Sequence, residues 1–506
     1  MEKNILNLGL AAVSLLALSC GVSGDVDDGY SSMPQQEAYT TTSTNDGMDV
    51  PQGGERFGEF TDNPFISTIE QPTSTFSIDA DGAAYAIARN YLNRGYRVPV
   101  SSVRIEELLN YFTFDYASPT DGHHVAINAE VDECPWNTAH KLLRLGIKGK
   151  ELTQKETPLA NYVFLVDVSG SMYGKDRLDL LKSGLRELLH QLNPKDRISL
   201  ITYSGKVEKL LESTPVSEAA IISSAIDKLS ADGVTAGGEA LDMAYKEALA
   251  NYDPEKNNRV IMGTDGDFNV GVTSTEALVE MVESYARQGI YMTCLGFGFG
   301  NLNDNMMEKV SNAGNGTYYY IDSENEMMKV LVHEKDRFVS VANDVKCQIS
   351  FDSTLVSKYR LIGYENRVMD NQDFDDDAKD AGEIGAGQTI TALYELELAD
   401  KSQGATAGSV FATFDLRYKK SLDAASETLQ QKLTLEDIFN KAGRSSDMRF
   451  AAGVAAFGLV LRDSPYKGDA TCDMAEKLVG QALGFDPHGY RAELVALIRK
   501  AKEMQK

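Results

Sequence analysis

Tyr162-Val163-Phe164-Leu165-Val166-Asp167-Val168-Ser169-Gly170-Ser171 is the stretch that decides the fold. The almost continuous apolar run from Tyr162 to Val168 is what a strand buried on both faces requires. A helical stripe follows, with Leu178, Leu181, Leu185, Leu188, Leu189 and Leu192 at turn spacing. Strands are expected at Arg197 to Tyr203 and, shorter, at Val207 to Glu212. Helices from about Ser217 to Leu229 and from Glu239 to Tyr252 lead to a strand at Arg259 to Gly263. Thr273 and Glu276 form a capping box for a helix ending near Gln288. Strands at Ile290 to Leu295 and Thr317 to Ile321 enclose a helix at Asn303 to Asn312, and Ser323 with Glu326 caps a last helix reaching about Asn343. Strand–helix alternation over about 180 residues predicts a mostly parallel sheet covered on both faces.

Ligands of such sheets bind beyond the carboxyl ends of the strands. The first strand leaves through Asp167-Val168-Ser169-Gly170-Ser171, whose alternate positions can turn three oxygen ligands into one site. The loop before the Glu239 helix carries Thr235 among glycines, and the Arg259 strand ends in Thr264-Asp265-Gly266-Asp267. Two carboxylates, three hydroxyls and water suit a hard divalent cation, Mg²⁺ first, with Mn²⁺ or Ca²⁺ as alternatives.

These residues resemble the von Willebrand factor type A (VWA) domain and its metal-ion-dependent adhesion site (MIDAS). Asp167, Ser169 and Ser171 fit the family's Asp-x-Ser-x-Ser motif, Thr235 its Thr, and Asp265 its second Asp. The resemblance implies an α/β, Rossmann-like fold and a metal whose last coordination position is filled by an Asp or Glu carboxylate of a protein partner.

The inserted-looking sheet has strands on either side of it. Val125 to Val131 and Leu142 to Lys148 precede it; Val345 to Phe351, Lys358 to Tyr364, Thr389 to Leu398 and Ser409 to Tyr418 follow. Two strands alone make no stable sheet, so both flanks are expected to pair into a β-sandwich-like module holding the VWA domain as an insertion. Helices are expected at Ala83 to Leu92 and Val103 to Phe112, and at the C-terminus at Leu435 to Lys441, Asp447 to Arg462, Cys472 to Leu483 and Gly489 to Met504. The apolar run Phe450 to Leu461 is too short to span a bilayer and reads as a buried helix. Asn63-Pro64-Phe65, Phe76-Ser77-Ile78-Asp79, Arg104-Ile105-Glu106-Glu107-Leu108, Glu133-Cys134-Pro135-Trp136-Asn137 and Leu461-Arg462-Asp463-Ser464-Pro465-Tyr466-Lys467-Gly468 resemble a family of bacterial VWA lipoproteins from residue 63 onward.

The N-terminus fits that resemblance. Lys3, an uncharged, largely apolar stretch from Ile5 to Leu18, and Ser19-Cys20-Gly21 read as a secretory signal. Cys20 sits as in a bacterial lipobox, which implies lipidation there and a membrane-anchored, exported protein of the cell envelope. The polar stretch after it is a tether, about forty residues spanning about 35 Å. The expected organisation is a signal peptide (1–19), the lipidated cysteine and linker (20–62), an N-terminal flank (63–158), the VWA domain (159–343), a β flank (344–420) pairing with 120–155, and a helical C-terminal region (421–506).

Composition excludes other classes. The 506 residues carry 75 Asp and Glu against 49 Lys and Arg, a net charge of −26 that argues against nucleic acid. Gly170 to Lys175 misses the phosphate-loop spacing by one residue and puts Asp176 where Ser or Thr belongs, so no nucleotide is expected. His123, His124, His140, His190, His333 and His488 form no His-Glu-x-x-His pattern, and no Gly-x-Ser-x-Gly elbow exists. The acidic run Asp370 to Glu383 lacks calcium-loop register and reads as a solvated loop. Five cysteines are one lipid attachment point, a core thiol at Cys294, and Cys134, Cys347 and Cys472, enough for a single disulfide. Cys134–Cys347 is the pairing expected, since both lie in the split module and export permits oxidation. The chain is thus expected to be a metal-dependent binding protein and not an enzyme. The alternatives are a structural envelope scaffold acting through its flanks, and a metal-dependent hydrolase using Asp267 as base.

Overall fold

The structure, a computed structural model, describes residues 54–232, 238–266, 275–439 and 444–505. Thr235, Asp267, Thr273 and everything before residue 54, including Cys20 and the apolar leader, lie outside these residues.

Six strands form the central sheet, in the order Tyr318–Ile321, Ile290–Phe297, Asn257–Thr264, Ala160–Asp167, Arg197–Tyr203, Val207–Pro215. All neighbours are parallel except the last pair. Ala160–Asp167 lies between two parallel partners, and all of its residues are buried. Its alternating side chains serve two cores. Val163 and Leu165 pack with Leu241 and Tyr245 of the helix Gly238–Ala250. Tyr162, Phe164 and Val166 pack with Leu181, Leu185 and Leu188 of the helix Leu178–Gln191. A two-core strand has no polar face, which is why its sequence is continuously apolar. Ser323 does cap a helix, accepting from the Glu326 amide; its α-helical turns end at Met328 and run on as a π turn to His333 and a 3-10 turn to Phe338, and a strand begins at Ser340.

The flanks pair across this domain into two facing sheets. One has the order Ile66–Ser67, Val356–Ile362, Thr389–Leu398, Lys141–Gly149, Val125–Glu133. The other has the order Val368–Met369, Thr73–Ser77, Ser340–Phe351, Val410–Lys419, Glu427–Thr434. Each contains an antiparallel pair joining the two flanks: Ile147 opposite Ile390 in the first, Phe76 opposite Cys347 in the second. Leu145, Ile147, Ile349, Tyr394, Phe414 and Leu416 fill the space between the sheets. Besides the short strands Ile66–Ser67, Val368–Met369 and Gly382–Gly385, two longer ones depart from the expected elements. Thr73–Ser77 is an internal strand, and Glu427–Thr434 extends the β region into the stretch expected to be helical.

The Cys134–Cys347 disulfide is not formed; both are free, buried thiols. Cys347 belongs to the sandwich core, whereas Cys134 packs with Trp136 in a different apolar cluster. Burial raises both thiols well above their ordinary range. Cys294 is a buried thiol of its strand, as expected.

The C-terminal helices Ser446–Leu461, Cys472–Gly480 and Tyr490–Met504 pack with the N-terminal helices Ala83–Arg94 and Ile105–Asn110. The first is buried from Asp447 through Leu459 apart from Arg449, with Gly458 against Ile105 and Leu108. Among the described residues no helix is long and apolar enough to cross a membrane. Arg89, 3 % exposed, ties three segments together: its guanidinium donates to Asp322 at 2.8 Å, to Glu326 at 2.7 Å and to Glu493 at 3.0 Å. Removing it would leave Asp322 and Glu326 buried without their cation. Arg89→Ala is therefore expected to cost about 3–5 kcal/mol, read as a lowered denaturant midpoint.

Candidate metal centre

The parallel pairing of Ala160–Asp167 with Asn257–Thr264 sets Val166 opposite Gly263. Asp167 and Asp265 therefore leave the same end of adjacent strands, 0 % and 1 % exposed. The Asp167 carboxylate is held at both oxygens. Oδ1 accepts from the Ser169 amide at 2.8 Å, and Oδ2 accepts from the Thr264 hydroxyl at 3.0 Å. Ser169 is buried, Ser171 is exposed, and their hydroxyl oxygens lie 2.9 Å apart. Gly170–Met172 forms one 3-10 turn, which brings these alternate side chains to one side.

The neighbouring loops brace this end of the sheet. The Asp232 amide donates to the Val168 carbonyl at 2.8 Å, and its own carbonyl accepts from Ser204 Oγ at 3.1 Å. The chain leading toward Thr235 is thus fastened beside Asp167. Gly266 has φ +99°, and a Cβ there would stand 2.4 Å from the Asn303 amide nitrogen. Only glycine suits both that conformation and that approach. Arg177 reaches across from the Ser171 loop, with Nε 3.9 Å from Asp265 Oδ2 and Nη2 donating to the Phe299 carbonyl at 3.3 Å.

Burial pushes the Asp167 carboxyl up to about 6; the hydrogen bonds from Ser169 pull it down, and the charge of Asp265 pushes it up again. Two carboxylates this close and this dry repel each other. Their donors are all oxygen, the set that suits a hard divalent cation. Asp167, Ser169, Ser171 and Asp265 come together; Thr235 lies outside the described residues. Thr264 and Arg177 were not singled out beforehand. Thr264 was within reach of sequence reasoning, since it immediately precedes Asp265; nothing local marks Arg177.

Other expectations are answered nearby. Asp373 pairs with Lys379, and Asp377 with Arg417 and Lys419, so these members of the acidic run are salted rather than gathered around a cation. His140 Nδ1 lies 2.7 Å from Glu395 Oε1, and His333 stacks on His488 with centroids 4.2 Å apart. Both arrangements serve packing.

Comparison with known proteins places these features in context. Residues 162–267 match the von Willebrand factor type A domain, residues 51–144 the family described as von Willebrand factor, and residues 336–504 the family described as "Uncharacterized protein YfbK, C-terminal". The Escherichia coli (strain K12) protein described as "Uncharacterized protein YfbK" is 37% identical over 471 residues, 89% of this chain and 81% of that protein. Human inter-alpha-trypsin inhibitor heavy chain H3 is 34% identical over 180 residues, 33% of this chain but only 20% of its own length. A solved structure, von Willebrand factor type A from Catenulispora acidiphila, aligns with a TM-score of 0.44 and 17% identity over 76% of this chain and 89% of that one.

The raised pKa of Asp167 has a measurable consequence. Between pH 3.8 and about 6 the folded chain keeps a proton on Asp167 that the unfolded chain releases, so with no cation present its contribution to stability falls as pH rises. In EDTA, Asp167→Asn should therefore gain stability over the unsubstituted chain as pH rises from 4 to 7, by on the order of 3 kcal/mol. Parallel denaturation series at the two pH values check this.

Proposed function

The chain belongs to the YfbK family of proteins with a von Willebrand factor type A domain, and from that premise we propose that it captures a protein partner through a divalent cation. One observation carries this reading. Asp167 and Asp265, at most 1 % exposed, end adjacent strands beside two hydroxyls 2.9 Å apart. Asp167, Ser169, Ser171 and Asp265, with Thr235 from its loop, would hold Mg²⁺, or Mn²⁺ or Ca²⁺ in its place. The bound cation supplies a Lewis-acidic position that an Asp or Glu side chain of the partner can enter. Thr264 and the Ser169 amide orient Asp167 toward that position, and Arg177 positions the Asp265 loop.

In this reading the net charge of −26 repels anionic surfaces in general, so an acidic partner is welcomed at the cation alone. The domain acts as an adhesion module and not as an enzyme. Lipidated Cys20 and the polar stretch after it would hold the folded body beside a membrane of the cell envelope.

Envelope proteins retained by the immobilised chain in Mg²⁺ should elute in EDTA, and Asp167→Ala should retain none of them while unfolding cooperatively. Capture that EDTA leaves unchanged would contradict the reading. For the anchor, Cys20→Ser should move the protein from the membrane pellet to the soluble exported fraction and abolish labelling by a radioactive fatty acid.

A further inference from the structure

A second, separate group of carboxylates lies where the VWA domain meets the sandwich. Asp79 follows the strand Thr73–Ser77, Glu107 sits on the helix Ile105–Asn110, and Glu308 on the VWA helix Asp304–Ala313. All three are buried, and each places a carboxylate oxygen within 4.8 Å of the others. Asp81 and Glu106 join them, each 1 % exposed. Asp81 Oδ2 and Glu106 Oε2 accept no hydrogen bond. The Asp81 amide donates to Asp79 Oδ1 at 2.9 Å, and one guanidinium, that of Arg367, stands 3.1 Å from Asp79 Oδ2 and 4.0 Å from Asp81 Oδ2. Asp81, Glu106 and Glu308 also line a cavity of about 930 Å³, which gives solvent and ions a route to the group.

Charge does not balance here. Arg104 is committed to Asp304, at 2.7 and 3.0 Å, and also bonds Glu107. Arg367 serves Asp79 and Asp81. Arg462, behind Glu106, is paired with Asp62 and Glu365. Asp79, Asp81, Glu106, Glu107, Asp304 and Glu308, all buried, thus outnumber the two guanidiniums among them. Buried charge without compensation is costly. Lone pairs remain to receive a cation, because an ionised carboxylate has about four acceptor sites and Asp79 uses one on each oxygen.

We propose that Asp79, Glu107 and Glu308 hold a second divalent cation that clamps the VWA domain to the sandwich, with Asp81 and Glu106 as further oxygen donors. Calcium is the cation this donor set favours. It accepts six to eight oxygens in irregular arrangement, whereas Mg²⁺ demands an octahedron and keeps its water. The cavity supplies the remaining ligands as water. None of the residues at the Asp167 centre takes part, so this site stands whether or not that centre binds metal.

Calorimetric titration of the Asp167→Ala chain with Ca²⁺ tests the site with the first centre removed. One calcium per chain is expected, together with a rise in melting temperature on adding calcium. Adding Glu308→Gln should weaken that binding tenfold or more and abolish the rise. Absence of calcium binding by the Asp167→Ala chain at millimolar concentration would overturn the proposal, as would a folded Glu308→Gln form binding as before. Glu308 also bonds Asn366, so that substitution can unfold the junction. In that event Asp81→Asn, which removes no hydrogen bond of Oδ2, decides by the same criteria.

Discussion

Antiparallel pairing of Lys141–Gly149 with Thr389–Leu398, and of Thr73–Ser77 with Ser340–Phe351, is the constraint on which the rest of the molecule depends. Each pair joins strands from opposite sides of the VWA domain. Neither sheet is complete until that domain has brought its own ends together. Asn257 does part of this, donating to Tyr162 Oη at 3.0 Å near the entry of the domain and to the Phe338 carbonyl at 2.9 Å near its exit. Arg259 adds a bond to the same carbonyl at 2.8 Å. An insertion whose termini are adjacent closes a long loop at little entropic cost, because that cost grows only slowly with length.

The same arrangement places the candidate metal centre at the sheet end from which Asp167 and Asp265 emerge, with loops from several segments packed around it. Residues 55–56 fall in the stretch expected to be linker, yet they are packed against one of these loops. Glu55 accepts from the Gly300 amide at 2.8 Å, and the Arg56 amide donates to the Leu302 carbonyl at 2.9 Å. That loop in turn packs on Gly266 and Arg177, which border Asp265. A continuous set of contacts therefore runs from the segment nearest the proposed anchor to the proposed cation.

Much of this was legible in the sequence where the information is local. The Tyr162–Val168 run announces a strand with two cores, and Asp167, Ser169 and Ser171 converge because one tight turn carries them. Thr73–Ser77 was harder to see as a strand. Its Thr-Ser-Thr-Phe-Ser is mostly polar, and it is internal to its sheet through partners far along the chain. Glu427–Thr434 escaped because it is an edge strand with only Leu433 fully buried. The disulfide failed for a related reason: counting cysteines does not reveal that Cys134 and Cys347 pack into different cores. The junction carboxylates come from three separate elements, and nothing in their spacing unites them.

The account rests on Asp167 and its neighbours being a divalent-metal centre, and anomalous diffraction from crystals grown in Mn²⁺ addresses that directly. The account predicts a manganese peak bonded to Asp167, Ser169 and Ser171, with Asp265 reaching it directly or through water. Crystals in which these side chains face solvent, manganese is bound elsewhere, and no peak stands beside Asp167 would contradict it.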